Sequence, residues 1–252
     1  MTDESASEIP VALFEFFEAM PRQGPGSPEV TAALYDRIST LLPARPKAAD
    51  MGCGSGAAGL VLAEKGADVL GVDIHPPFLT AFLEQADRKG LQAKVNTLQA
   101  SMMETDLMDS SLDLIWSEGA VFTVGFDAAF SEFKRLIKPG GLAVVSECSW
   151  LKDDAPEDLA AFWSEGYPGM RTTLENANAI EAAGWNCLHK ETLEPHIWLN
   201  GFYDPMESLI ETIDRNTDPE MASIVDEQII EIDLFRRYHD FYGYVFYVAQ
   251  KP

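Results

Sequence analysis

The chain has 252 residues, of which 46% are hydrophobic and 23% charged, a composition typical of one large globular domain with or without an appended segment. Its formal net charge of −23 comes from 41 acidic residues against 18 Lys and Arg residues. A field of that sign repels phosphate backbones, so nucleic acid is excluded as an expected partner.

Membrane insertion and metal binding are also not expected from the sequence. No apolar run reaches the length of about 18 residues that a transmembrane helix requires. The segment MTDESASEIP is acidic and polar and does not resemble a signal peptide, so a cytoplasmic location is expected. Cys53, Cys148 and Cys187 lie far apart and show neither zinc-ligand spacing nor an even disulfide set.

The N-terminal part predicts a helical cap over residues 1–45. Its first helix is expected at IPVALFEFFEAM, and the loop PRQGPGSPE follows with three prolines and two glycines in nine residues. Ser27 is expected to cap a second helix that has Pro28 at its first position.

From Lys47 the pattern changes to strands that alternate with helices. The predicted strands are KAADMG, DVLGVD, AKVNTLQA, SLDLIWSEG and KPGGLAVVSE. Strands at this spacing, separated by helical segments, predict βαβ units in a parallel sheet with helices on both faces.

The last hundred residues predict a less regular region. A helix capped by Asp154 and a helix ended at Gly184 precede a sixth strand at NCLHKETLEP. Helical signals beginning at Asp204 and Asp218 predict a lid at about residues 202–240, before a seventh strand at YGYVFYVAQK. The domain that contains all seven strands is predicted to span residues 46–252.

The turn ADMGCGSGAAG raises two cofactor hypotheses. Gly54, Gly56 and Gly59 fit the G-x-G-x-x-G turn of NAD or FAD enzymes. Gly52, Gly54 and Gly56 fit G-x-G-x-G after the acid Asp50, which favours S-adenosylmethionine. Both ligands need a backbone that they can approach without a Cβ in the way, so the turn alone leaves both hypotheses open.

Four segments in order carry a resemblance to a known family: ADMGCGSG, GVDIHP, DSSLDLIWSEG and RLIKPGGLAVVSE. With them the chain resembles class I S-adenosylmethionine-dependent methyltransferases of the small-molecule type, related to quinone-biosynthesis (methyltransferase type 11) enzymes. The resemblance implies a Rossmann-like sheet of seven mostly parallel strands and in-line methyl transfer to a small-molecule acceptor. Two alternatives stay open: an NAD-dependent oxidoreductase and a non-catalytic adenosylmethionine-binding domain.

The resemblance also implies cofactor contacts. The glycines at 52, 54 and 56 correspond to the turn beneath the methionine part, and Asp50 to the acid near its amino group. Asp73 ends the second strand, 17 residues after Gly56, where a carboxylate can accept hydrogen bonds from both ribose hydroxyls. Further contacts are implied for Ile74, Ser101 and Met102 beside the adenine and for Ser117 beside the methionine part.

Catalytic residues are expected after the fourth and fifth strands. Glu118 and Glu147 follow or end neighbouring strands, so both side chains are expected to reach the same mouth. Positioning supplies much of the acceleration of methyl transfer, and a base is needed only where the acceptor has to lose a proton. His196 is an alternative base.

Aromatic residues are expected around this mouth. The predicted acceptor contacts are Phe17, Arg22, Trp150, Tyr167, Trp198 and Tyr203. Carboxylates beside an aromatic face in a chain of net charge −23 favour a cationic amine as acceptor. The competing hypothesis is a neutral hydroxyl or thiol acceptor, with the charge serving solubility. The oligomeric state is not predicted.

Overall fold

The computed structural model describes residues 10–216 and 218–252 of the chain. In this part, eight strands form one sheet of order β3-β2-β1-β4-β5-β8-β7, with β6 paired to the end of β5. The strands are β1 (Lys47–Met51), β2 (Asp68–Asp73), β3 (Val95–Gln99), β4 (Leu112–Glu118), β5 (Ile137–Trp150), β6 (Arg171–Thr172), β7 (Asn186–Thr192) and β8 (Tyr242–Gln250).

Strands β1 to β6 pair in parallel, whereas β8 runs antiparallel to both β5 and β7. The Rossmann-like, mostly parallel sheet predicted from the sequence is therefore confirmed, with the two-residue β6 as an addition. The strand order reverses between β1 and β4. In an open sheet of this kind, the crevice beyond the carboxyl ends of the strands at the reversal is where ligands bind.

Ten α-helices connect and flank the strands in the described residues. They are α1 (Val11–Glu18), α2 (Pro28–Ile38), α3 (Ala57–Glu64), α4 (Pro76–Arg88), α5 (Phe126–Leu136), α6 (Glu157–Gly166), α7 (Thr173–Ala182), α8 (Pro195–Trp198), α9 (Asp204–Ile210) and α10 (Pro219–Tyr238). Short 3₁₀ turns occupy Ser39–Leu41 and Val121–Thr123, and a π-helical turn occupies Leu199–Tyr203. Among the described residues, no helix is both long enough and apolar enough to cross a membrane.

Two predicted helix starts have different outcomes. The cap at Ser27 is confirmed, because its side chain accepts a hydrogen bond from the Val30 N–H. The cap at Asp154 is wrong, because α6 begins only after Pro156, whose backbone is extended. A residue that precedes proline is disfavoured in the helical region, so the helix cannot begin at Ala155.

The two faces of the sheet bury separate apolar clusters. Helices α2, α3, α4 and α10 pack on the face that carries Trp116, and α5 and α7 pack on the face that carries Ile115. Neighbouring residues of β4 thus point to opposite layers, as the pleat of a strand requires. This alternation decides which strand-end side chains can meet at the crevice.

Phe82 of α4 fills the space beneath the turn that follows β1. It is fully buried, and three glycines pack directly on its ring. A Cβ added at Gly56, Gly59 or Gly71 would come within 2.0, 2.5 or 2.5 Å of that ring. Because only glycine, which lacks a Cβ, fits at these positions, the turn and α3 can pack closely against the Phe82 ring and the sheet.

Substitution of Gly71 tests this packing. Its backbone is not in the left-handed region, so Gly71→Ala introduces a steric clash without backbone strain. We expect the free energy of unfolding to fall by about 1–3 kcal/mol, because overpacking a filled core forces neighbours to shift. Urea-induced unfolding measures the change.

The matched control is Gly166→Ala, since nothing lies within 4 Å of a Cβ added there. The control should leave stability within about 0.5 kcal/mol of the wild type. Equal stability of the two variants would show that Phe82 does not confine the turn.

Candidate active site

The glycine turn lies at the reversal point of the sheet, between the ends of β1 and β4. Gly52, Gly54 and Gly56 adopt φ values of +69°, +51° and +87°, which residues with a Cβ rarely adopt. The N–H groups of Gly52 and Cys53 both donate to the Val72 carbonyl, at 2.8 and 3.1 Å. The turn is thereby fixed to the end of β2.

Asp73 holds the other side of this turn. Its Oδ2 accepts a hydrogen bond from the Gly54 N–H at 2.9 Å, and its Oδ1 accepts one from the His75 N–H at 3.0 Å. Burial raises the pKa of Asp73, while these backbone donors and the nearby His75 partly offset the rise. Each oxygen keeps a lone pair, so the carboxylate can still accept hydrogen bonds from a diol.

Asp50 is a buried carboxylate directly before the turn. It is 2% exposed, and its Oδ2 has no hydrogen-bond partner among the described residues. Burial, together with the charges of Glu118 and Asp73, raises its pKa to about 8, although the Gly59 N–H opposes the rise. A cation brought beside this group would favour its ionised form.

The predicted adenine neighbours lie near the same turn. Ile74 is 46% exposed although it is apolar, so it offers an uncovered surface beside Asp73. Met102 is buried, and its Cε would lie 3.2 Å from a Cβ added at Gly52. Both positions are compatible with contact to a planar ring.

Two predicted serine contacts have local structural partners. The Ser101 hydroxyl accepts a hydrogen bond from the Met103 N–H at 3.2 Å, which closes the turn after β3. The Ser117 hydroxyl is buried and donates to the Met51 carbonyl at 2.7 Å. Ser117 therefore ties the end of β4 to the end of β1.

Gln23, in the loop after α1, lies directly on the glycine turn. Its Oε1 accepts hydrogen bonds from the N–H and the hydroxyl of Ser55, at 2.8 and 2.9 Å. A Cβ added at Gly54 would lie 2.5 Å from this oxygen. Gln23 was not predicted from the sequence, although its place in the Pro- and Gly-rich loop beside Arg22 was a usable signal.

Glu118 anchors the same loop from the end of β4. Its Oε2 accepts from Arg22 Nη2 at 3.2 Å, and its Oε1 accepts from Thr31 Oγ1 at 2.7 Å and Trp116 Nε1 at 2.8 Å. The Arg22 and Glu118 side chains are only 12% and 7% exposed. Three donors occupy this carboxylate, so the geometry gives Glu118 an anchoring role.

The structure does not bring Glu118 and Glu147 together. Strand β5 continues to Trp150, so Glu147 lies within it and alternates with Cys148, which faces the opposite layer. Glu147 is 1% exposed, and neither carboxylate oxygen has a hydrogen-bond partner among the described residues. Burial raises its pKa to about 8.

A cavity of about 660 Å³ opens beside the turn, between α1, the loop at 23–25, α6 and α10. Gln23 and Gly119 line it on the side of the glycine turn. Its aromatic lining consists of Phe17, Phe122, Phe162, Trp163, Tyr167, Trp198, Phe202 and Tyr244. Three carboxylates, Glu165, Glu227 and Glu231, also line it, with no Lys, Arg or His among the described lining residues.

Half of the six predicted acceptor contacts line this cavity: Phe17, Tyr167 and Trp198. Tyr203 lies behind the wall and donates to Glu231 Oε1 at 2.5 Å.

The other predictions fall elsewhere. Arg22 is held by Glu118, and Trp150 packs against Tyr242, with neither of them lining the cavity. His196 is exposed on α8 and is also absent from the lining. The acids of α10 were missed, although the four-residue spacing of Glu227 and Glu231 places both on one face of a helix.

Part of the chain around the glycine turn is similar to known proteins. Residues 49–145 match the family model described as "Methyltransferase domain". The sterol 24-C-methyltransferase of Gibberella zeae is 30% identical over 158 residues, which make up 58% of this chain and 41% of that enzyme. The match thus spans about two fifths of the curated relative.

Solved structures share the fold over nearly the whole chain. YjhP of E. coli has a TM-score of 0.82 at 17% identity, covering 96% of this chain and 100% of that one. A methyltransferase from Geobacter sulfurreducens in complex with S-adenosyl-L-homocysteine has a TM-score of 0.79 at 17% identity, covering 97% and 99%. At these identities the likeness establishes the fold.

The buried Glu147 predicts a pH-dependent effect on stability. Its folded-state pKa of about 8 lies above the ordinary value of 4.5, so the folded protein keeps a proton that the unfolded chain releases between these values. The contribution of Glu147 to stability is therefore lost as the pH rises through this interval. We expect Glu147→Gln to match the wild type near pH 5 and to be more stable near pH 8.5, by at most about 5 kcal/mol.

Thermal unfolding of both proteins across this pH range measures the effect, and Glu181→Gln, on exposed α7 surface, is the control. A constant difference between Glu147→Gln and the wild type at all pH values would contradict the prediction.

Proposed function

We propose that this chain, whose residues 49–145 match a methyltransferase domain, is a class I methyltransferase that transfers the methyl group of S-adenosylmethionine to a small-molecule acceptor. The observation that carries the proposal is that the matched residues form the glycine turn and its two acids at the reversal point of the sheet. The domain match favours this function over NAD-dependent oxidation. Because the match covers only part of the chain, the activity of the whole chain is part of the proposal.

The residues around the turn fit the cofactor. Gly52, Gly54 and Gly56 hold the turn in positive-φ conformations that leave its backbone bare of side chains, and the unpartnered Asp50 Oδ2 supplies an acceptor for an amino group. Asp73 offers its remaining lone pairs to the ribose hydroxyls. When bound, S-adenosylmethionine supplies an electrophilic methyl group on a sulfonium sulfur.

The aromatic cavity is proposed to hold the acceptor. It adjoins the turn through Gln23 and Gly119, so a molecule bound there lies next to the methionine end of the cofactor site. The predicted cap at residues 1–45 and lid at about 202–240 supply α1, Phe202 and α10 to its wall. Enclosure by these segments excludes water, and positioning of the acceptor supplies the acceleration.

The partner and location are part of the proposal. The net charge of −23 disfavours nucleic acid as the acceptor. The three cysteines are free thiols, which accords with a reducing compartment such as the cytoplasm.

Ligand-dependent thermal unfolding tests the cofactor. A ligand at 100 times its dissociation constant stabilises the fold by about 2.7 kcal/mol, so we expect adenosylhomocysteine to raise the melting temperature by about 5–10 °C. NAD at the same concentration should leave it unchanged. A shift with NAD and none with adenosylhomocysteine would refute the methyltransferase function, and transfer of labelled methyl groups separates an enzyme from a binding domain.

Asp73→Asn tests the ribose contact. Hydrogen bonds to a charged group contribute about 1.5–3 kcal/mol, so adenosylhomocysteine affinity should fall about tenfold to a hundredfold by calorimetry. Asp68→Asn is the matched control, because Asp68 begins the same strand and pairs with the exposed Arg45. Equal affinities of the two variants would remove Asp73 from the site.

Glu118→Gln tests the anchoring of the loop. The amide oxygen can still accept from Thr31 and Trp116, whereas the amide nitrogen cannot accept from Arg22. Loss of a charged hydrogen bond should speed amide exchange in residues 20–26 by about ten- to a hundredfold. Glu191→Gln removes the exposed Arg37 ion pair and should leave this exchange unchanged. Unaltered exchange in Glu118→Gln would show that the ion pair does not hold the loop.

A further inference from the structure

We propose that the acceptor is an amine, recognised in the aromatic cavity as its ammonium ion by Glu231 and the surrounding aromatic rings. This inference rests on the proposed function and names the chemical class of its substrate. It assigns a ligand contact to a residue of α10 that lies outside the matched methyltransferase region.

The first support is the charge of the cavity wall. Glu165, Glu227 and Glu231 all line it, and none of them takes part in any ion pair among the described residues. Elsewhere in the described chain, Arg side chains of α10 pair with acids of other helices: Arg236 pairs with Glu207 of α9, and Arg237 pairs with Asp158 of α6. The cavity acids have no cation of the protein to compensate them.

The second support is the depth at which Glu231 lies. Glu165 and Glu227 are exposed at the rim, whereas Glu231 is half-buried and packed near Tyr203. The Tyr203 hydroxyl donates to Glu231 Oε1, and no described residue hydrogen-bonds to Oε2. The carboxylate is thus fixed through one oxygen while the other stays available to a ligand in the cavity.

The third support is the aromatic wall. The rings of Phe162 and Trp163 meet edge to face with their centroids 5.2 Å apart, and both are partly exposed and line the cavity. Aromatic faces attract cations through their quadrupole, and this attraction is strongest where water is excluded. A carboxylate acceptor would instead meet three like charges in the same space.

The chemistry of transfer to an amine balances with these groups. The ammonium loses one proton to the Glu231 carboxylate, and the freed nitrogen lone pair forms the nitrogen–carbon bond as the sulfur–carbon bond breaks, with that electron pair left on sulfur. The methylated product is again a cation. Burial raises the pKa of Glu231, although the Tyr203 hydrogen bond opposes the rise, which makes the carboxylate a better proton acceptor.

Equilibrium binding of three benzyl compounds of similar size and different charge tests the inference. Phenethylamine is a cation at neutral pH, 2-phenylethanol is neutral and phenylacetate is an anion. Calorimetry with and without adenosylhomocysteine should give phenethylamine about tenfold tighter binding than 2-phenylethanol, and phenylacetate the weakest binding. Equal binding of amine and alcohol, or tightest binding of the anion, would overturn the inference.

Variants on α10 locate the effect. Glu231→Gln can still accept a hydrogen bond from Tyr203. Its affinity for phenethylamine should fall about tenfold, and its affinity for 2-phenylethanol should change little. Glu227→Gln, at the exposed rim, should act in the same direction and less. Glu220→Gln makes the same charge change on the same helix outside the cavity and should alter neither ligand. An equal effect of Glu220→Gln and Glu231→Gln would overturn the inference, because the preference for the amine would then come from the net charge of the protein and not from a contact in the cavity.

Failure of the inference is distinguishable from failure of the proposed function. Adenosylhomocysteine binding without an ammonium preference would refute only the amine acceptor. An ammonium preference in a chain that does not bind adenosylhomocysteine would refute methyl transfer, and with it the acceptor role of the cavity.

Discussion

The structure around the crevice depends on one steric constraint, the confinement of the turn at residues 52–56 from three directions. The Phe82 ring lies beneath Gly56, the Gln23 amide lies against Gly54, and Ala120 would contact a Cβ at Gly52 at 2.4 Å. No side chain fits at any of these points. Packing against the turn therefore fixes the positions of α4, the loop after α1 and the end of β4 around one backbone segment. The crevice between these elements is where the proposed cofactor would lie.

Electrostatics adds a second condition at the same place. Asp50, Asp73 and Glu118 lie close enough for the charges of the other two to raise the pKa of Asp50. Arg22 compensates one of these carboxylates through its pair with Glu118. The remaining excess of negative charge favours a ligand that carries positive charge at the methionine end. The cavity beyond repeats this pattern with three further carboxylates, so both halves of the crevice are suited to cations.

The sequence predicts those features that depend on local chain geometry. The glycine turn, the position of Asp73 at the end of β2 and the Ser27 cap were predictable because each is set by residues a few positions away. Glu147 was not, because the sequence pattern does not show that β5 continues to Trp150 and so keeps this side chain inside the sheet. The spacing of Glu227 and Glu231 and the loop around Gln23 were signals in the sequence, but the places of Glu231 and Gln23 in the site depend on how α10 and the N-terminal loop pack on distant elements.

The position of β8 has a consequence for the order in which the chain can fold. This strand follows all the other described strands in the chain, yet it lies between β5 and β7. It pairs with β5 along its whole length and with β7 from Val245 to Gln250. Within the described sheet, β7 has no other neighbour. Until residues 242–250 are available, a nascent chain therefore has an unpaired edge on β5 and no partner for β7. Unpaired strand edges can pair with other chains and cause aggregation. Because pairing between residues far apart in sequence is slow, we expect closure of this side of the sheet to follow assembly of the half that contains the glycine turn.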